Sequence, residues 1–151
     1  MQPATVKTYA KAILSLSILG ALNAAYLTGL FAQATWGASA RSFCDVSSEV
    51  SCTSVLTSPY ALFLGAPVCS IALLVYPALA AIGYAALKRT RTRNLFYSAS
   101  ILSAMGLMLN VVYIYNEVAH IKSICLLCIA CTVLIALVLV ASIRGYLRST
   151  E

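Results

Sequence analysis

The chain has 151 residues, 62% of them hydrophobic and only 9% charged, with a formal net charge of +6. An ordinary soluble domain is about half apolar and about a quarter charged. This composition therefore excludes a globule that stays in water, and it excludes disorder, which needs high charge and low hydrophobicity.

Four long stretches lack Asp, Glu, Lys and Arg: 12–40, 50–87, 94–116 and 123–143. A spanning helix needs roughly 20 mostly apolar residues. The first stretch holds one span, over about 12–32. The second is too long for one helix, and its first half is polar: Ser51, Cys52, Thr53, Ser54, Thr57, Ser58. Residues 45–64 read as a loop with a short interfacial helix, and a second span follows at about 67–87, with Pro67 suited to a first helical turn. Spans three and four fall at about 95–116 and 123–143. The expected fold is all-α, a four-transmembrane-helix bundle forming one membrane domain over 1–151, with a long loop at 33–66.

Basic residues orient this bundle. Lys7 and Lys11 precede span one; Lys88, Arg89, Arg91 and Arg93 link spans two and three; Arg144 and Arg148 follow span four. By the positive-inside rule both termini are cytoplasmic, and the loop at 33–66 and the turn at 117–122 face outward. The Lys/Arg cluster sits between two spans without interleaved aromatics, so no nucleic-acid partner is expected. Ala38-Ser39-Ala40 looks like a signal-peptidase site, but it lies well past an apolar run too long for a signal peptide, so the first span is expected to be retained.

The six cysteines are too few for a disulfide-stapled secreted scaffold. Cys44 and Cys52 lie in the outward loop. Cys125-Leu126-Leu127-Cys128 forms a C-x-x-C at the outer end of span four. With Ser123 as the helix cap, Cys125 falls in the first turn, where free N–H groups and the helix dipole favour a thiolate. Cys128 follows on the same face and can pair with it, and Lys122 adds positive charge. These conditions make a thiol reactive. Cys69 and Cys131 read as small packing residues, Cys131 having no obvious partner.

Iron–sulfur and zinc readings are weaker. The run Cys125, Cys128, Cys131 lacks the fourth cysteine and proline of the bacterial cluster pattern. No metal is expected. Two cysteine pairs at one membrane face suggest an electron relay, in which thiol–disulfide exchange passes electrons from a soluble thiol to a lipid-soluble acceptor. A quinone, of the ubiquinone or menaquinone type, is the natural acceptor. Glu117 and His120 are considered as proton donors to it, with water as the alternative.

The segment Cys44-Asp45-Val46-Ser47-Ser48-Glu49-Val50-Ser51-Cys52 resembles the loop cysteine motif of the vitamin K epoxide reductase family. Thr53 to Tyr60 continues the likeness, with Ser58 at the family's loop serine. Phe63-Leu64-Gly65-Ala66-Pro67-Val68 is similar to the entry to the second helix in prokaryotic members. Cys125-Leu126-Leu127-Cys128 sits where the family places its active C-x-x-C. The resemblance implies a four-helix bundle around a quinone pocket. Cys44 would exchange with a thioredoxin-like partner, Cys52 would shuttle electrons to Cys125, and Cys128 would reduce the quinone. Ser58 would support the loop and Phe63 would line the pocket.

Two departures narrow this. Many prokaryotic members carry a fused thioredoxin-like domain, whereas this chain ends soon after span four, which implies a separate partner. The vertebrate enzymes have a tyrosine where this chain has Thr132, and a longer segment before span two. Disulfide formation in exported proteins is therefore expected rather than vitamin K epoxide reduction. The rivals are the unrelated four-helix disulfide-forming membrane protein, whose cysteine pairs come in the opposite order, and a non-enzymatic membrane subunit or small transporter with a structural disulfide.

Overall fold

The computed structural model describes residues 3–37, 39 and 41–149. Ala38 and Ala40 of the cleavage-like tripeptide lie outside the described residues. Helix α1 runs Pro3–Thr35. The loop that follows holds a short helix α2, Cys52–Leu56, and a 3₁₀ turn, Pro59–Ala61. A two-stranded hairpin, β1 at Leu62–Phe63 and β2 at Ala66–Pro67, leads into α3, Val68–Lys88. Helix α4 is Arg93–Asn116; a π turn, Glu117–Ile121, and a short extended stretch then connect to α5, Leu126–Arg148.

Four of these helices are long and apolar enough to cross a membrane, as expected from the charge-free stretches. Helix α1 packs on α3 and α5, and α4 packs on α5 and α3, which closes a ring of four. Leu22, Leu74, Met108 and Val133 point outward. In lipid such side chains need no polar cover, so the bundle leaves them on its outer surface. The chain is an integral membrane protein.

The core combines apolar packing with a few polar ties. Tyr76 on α3 is buried, and its hydroxyl donates to the carbonyl of Cys131 on α5 at 2.7 Å. Asn23 on α1 donates to the Leu127 carbonyl at 2.9 Å and to the Cys131 sulfur at 3.1 Å. Cys131 thus has the partner that its sequence position did not disclose. Interhelical hydrogen bonds of this kind are each worth about 0.6 to 1.7 kcal/mol in a membrane.

The loop differs in detail from expectation. Two short helical pieces replace one, because Ser51 caps α2 with its hydroxyl, accepting from Ser54 N–H at 3.2 Å, and Pro59 starts a new turn. The hairpin was not foreseen. Its turn places Leu64 at φ 52° and Gly65 at φ 83°, a left-handed pair that Gly65 adopts freely and Leu64 at a cost of about 1–2 kcal/mol.

Helix α5 begins at Leu126 rather than at residue 123. Ile124 is claimed by the loop: its N–H donates to the Glu49 carbonyl at 2.8 Å, and its own carbonyl accepts from Ser51 N–H at 3.2 Å. Val50 and Ile124 form a parallel bridge. With those groups used, the helix starts later, and Cys125 rather than Ser123 is its cap.

Most of the cationic residues gather at the other end of the helices. Lys7, Arg89, Arg91, Arg93 and Arg148 line a cleft of about 590 Å³ there. The net positive charge belongs to this end, and the cysteine pairs belong to the opposite one.

Candidate active site

Asp45 organises the loop around the first cysteine pair. Its carboxylate accepts from Ser42 N–H at 2.8 Å, Ser51 hydroxyl at 2.8 Å, Thr53 N–H at 3.0 Å and Thr53 hydroxyl at 2.6 Å. Burial alone would raise its pKa. The four donors outweigh that and hold it well below the usual carboxylate range. They draw the Ser42 end of the loop onto the start of α2, which brings Cys44 beside Cys52. The two are joined as a disulfide.

This arrangement makes the loop pH-sensitive. A depressed carboxylate stabilises the fold above its unfolded pKa, about 3.9, and that contribution is lost as pH falls through the folded value. Asp45→Asn should loosen the loop by about 1–2 kcal/mol. Reduction of Cys44–Cys52 by a phosphine, followed by mass spectrometry, should then be about 5–30 times faster at neutral pH. The native chain should approach that rate only below about pH 4. An unchanged reduction rate in Asp45→Asn would show that the carboxylate does not hold the pair.

The second pair meets the first at the bridge between Val50 and Ile124. The Cys125 sulfur lies 2.9 Å from that of Cys52. The sulfurs of Cys44, Cys52 and Cys125 all lie within 4.8 Å of one another. Cys125 is the N-cap of α5, and its sulfur accepts from Cys128 N–H at 3.3 Å. The helix N-terminus thus faces this sulfur directly, a stronger version of the first-turn placement read from the sequence. Cys125 and Cys128 are free thiols. The sulfur cluster has the proximity of a metal site, but Cys44 and Cys52 are tied in a disulfide and have no thiolate to offer. The donor set fits exchange better than coordination.

All four cysteines are buried. Cys44, read from sequence as part of a polar outward loop, is only 1% exposed. An outside thiolate would reach it only if the loop gave way. Phe43 and Val46, on either side of Asp45 and Cys44, are exposed.

Ser123, read from sequence as the cap, is buried with its hydroxyl unpartnered. Ser58 donates to the Val55 carbonyl at 2.8 Å, which fastens the end of α2 under the pair. Phe63 lines a cleft of about 60 Å³ with Tyr60, Val68, Tyr113 and Asn116. Val68 and Tyr113 also line a smaller space that contains Cys69, Cys128 and Cys131. One layer of side chains therefore separates the cleft from the Cys128 thiol. Tyr60 stacks on His120 at 4.9 Å between ring centroids, beside the cleft.

The family model described as the vitamin K epoxide reductase family matches residues 11–143. The chain belongs to the vitamin K epoxide reductase family. A search of curated proteins found no match. Membership makes the chain a membrane thiol–disulfide oxidoreductase, and the crowded cysteines fit that chemistry. Within this family member, Asp45 and Tyr113 are residues whose place sequence reasoning did not assign, while Glu117, considered there as a proton donor, is buried and accepts from Cys125 N–H. The signal for Asp45 was available: it stands next to a cysteine in a loop rich in Ser and Thr donors. Tyr113 gave none, since an aromatic in an apolar span is ordinarily core.

Proposed function

We propose that this protein is a thiol:quinone oxidoreductase that oxidises a separate thioredoxin-like partner and so drives disulfide formation in exported proteins. The observation that carries this is the 2.9 Å approach of the Cys52 and Cys125 sulfurs, which links a loop pair to a pair at the edge of the bundle. A partner thiolate attacks Cys44, breaks the Cys44–Cys52 bond and leaves as a disulfide after its second thiol resolves the mixed species. The Cys52 thiolate then attacks Cys125 of an oxidised C-x-x-C, and Cys128 departs as a thiolate that takes up one of the two protons released by the partner's thiols. Cys44 resolves Cys52–Cys125, which restores Cys44–Cys52 and leaves both C-x-x-C thiols reduced. That is the state observed. Two electrons then pass from Cys128 and Cys125 to the quinone as the Cys125–Cys128 bond forms.

The quinone ring would approach Cys128 through the cleft at Phe63 and Tyr60. The exposed Phe63 and Leu64 at the hairpin tip would shift to admit it. Ser58 supports the loop. The positive charge at the far end of the bundle supports cytoplasmic termini and an extracytoplasmic active site.

The test is quinone reduction by a reduced thioredoxin-like protein in proteoliposomes. The native chain should turn over, and Cys→Ala at 44, 52, 125 or 128 should each abolish turnover. Full activity in Cys44→Ala or in Cys128→Ala would sink the reading.

A further inference from the structure

We infer that Glu117 is the catalytic base that takes the proton of the Cys128 thiol; this rests on the thiol:quinone reading above. Glu117 opens the π turn after α4 and is completely buried. Its Oε2 accepts from Cys125 N–H at 3.1 Å. Its Oε1 is buried with no hydrogen-bond partner. The Cys128 side chain is a neighbour of the carboxylate, placed to act on it as a donor. A buried carboxylate with an unused oxygen is costly unless a donor is available at some stage of function. The Cys128 thiol is the donor that chemistry brings to it.

The role follows from where the other groups lie. Cys125 already receives Cys128 N–H at its sulfur and meets Cys52. It is set for exchange with the loop. Cys128 has no helix N-terminus of its own aimed at its sulfur, so its thiolate needs another source of activation. The titratable groups facing Glu117 are Tyr113, one turn earlier on α4, and Cys125 and Cys128 at the start of α5. None of them is a cation that would pair with the carboxylate permanently. It can therefore alternate between charged and protonated forms.

The step balances as follows. The Cys128 S–H bond breaks and a Glu117 O–H bond forms. The Cys128 thiolate, with Cys125, gives two electrons to the quinone as the Cys125–Cys128 bond closes. The proton on Glu117 passes to one oxygen of the reduced quinone, and the Cys125 proton supplies the other. Glu117 returns to the carboxylate.

Glu117→Gln keeps an oxygen to accept Cys125 N–H but cannot take a proton. Single-turnover quinone reduction by the pre-reduced C-x-x-C should fall about 100-fold at neutral pH. Its pH profile should lose the acid limb of the native chain and climb only as the thiol itself ionises. Opening of Cys44–Cys52 by a small dithiol should keep its native rate. Glu117→Asp should retain the acid limb at a reduced rate. A native rate in Glu117→Gln, or equal loss in both half-reactions, would overturn the assignment. If Glu117→Gln does not assemble, alkylation of Cys128 by N-ethylmaleimide in the Cys125→Ala variant decides, read by mass spectrometry. Two ionisation steps in its pH dependence support the base, and a single thiol step overturns it. An inactive native chain would instead refute the thiol:quinone reading, and the alkylation result would still judge Glu117.

Discussion

Cys128→Ala should accumulate a Cys52–Cys125 disulfide. The Cys125 sulfur already sits 2.9 Å from Cys52, so exchange between them needs almost no movement. In the proposed relay the native chain's mixed disulfide is short-lived, because Cys128 attacks Cys125 and Cys44 attacks Cys52. Removing Cys128 removes one of these two exits. Removing Cys44 as well closes the other, so the double variant, oxidised with added glutathione disulfide, should hold the Cys52–Cys125 disulfide almost quantitatively. Quinone reduction should drop by about a thousandfold or more in either variant, since Cys125 has no second thiol with which to close a disulfide as two electrons leave for the quinone. Mass spectrometry after rapid acid quenching and alkylation reads the pairing. If only Cys44–Cys52 is found at every redox potential, the relay between the two pairs is wrong, whatever the family.

Gly83→Leu should take the bundle apart. A Cβ at Gly83 would lie 2.9 Å from the backbone nitrogen of Leu14 and 3.2 Å from its Cα. Helices α1 and α3 therefore touch backbone to backbone at this point. In lipid there is little hydrophobic force between helices, and close packing of small residues supplies much of their association. Backbone atoms cannot swing aside as a side-chain tip can. A leucine there should push α1 from α3 at a cost of about 3 kcal/mol, the upper end for overpacking. Alanine should cost less, nearer 1 kcal/mol. Thermal unfolding in detergent, followed by labelling of the buried cysteines, should show a clear fall in midpoint for leucine and a smaller one for alanine. Because α1 leads into the Cys44 loop and α3 carries the hairpin beside the cleft, leucine should also abolish turnover. An unchanged midpoint would mean the two helices do not pack this closely.

Much of this architecture was legible before any coordinates. Charge-free runs separated by short charged segments marked four long apolar helices, since crossing hydrocarbon demands length and apolarity and little else, although α1 begins nine residues before the expected start of its span. The two cysteine pairs stood out for the same reason. In a chain this greasy, a polar loop with two cysteines has no packing excuse. The start of α5 was missed because helix starts were read from local capping alone. Ser123 is a good cap in isolation, but the loop claims Ile124 through Glu49 and Ser51, residues more than seventy positions away. The partner of Cys131, Asn23, is likewise distant in sequence.

By itself, then, the sequence determined a four-span membrane chain with most of its cations at one end and its two cysteine pairs at the other. Local composition and spacing decide both, because lipid and water sort residues one segment at a time. The family resemblance implied that Cys52 exchanges with Cys125, and the tertiary structure alone showed how closely the sulfurs meet. It placed Cys52 against Cys125, buried Cys44 under an Asp45-tied loop and set the Glu117 carboxylate behind the C-x-x-C. Those are contacts between segments far apart in the chain. They depend on how the helices pack and on which backbone groups each segment has left to offer.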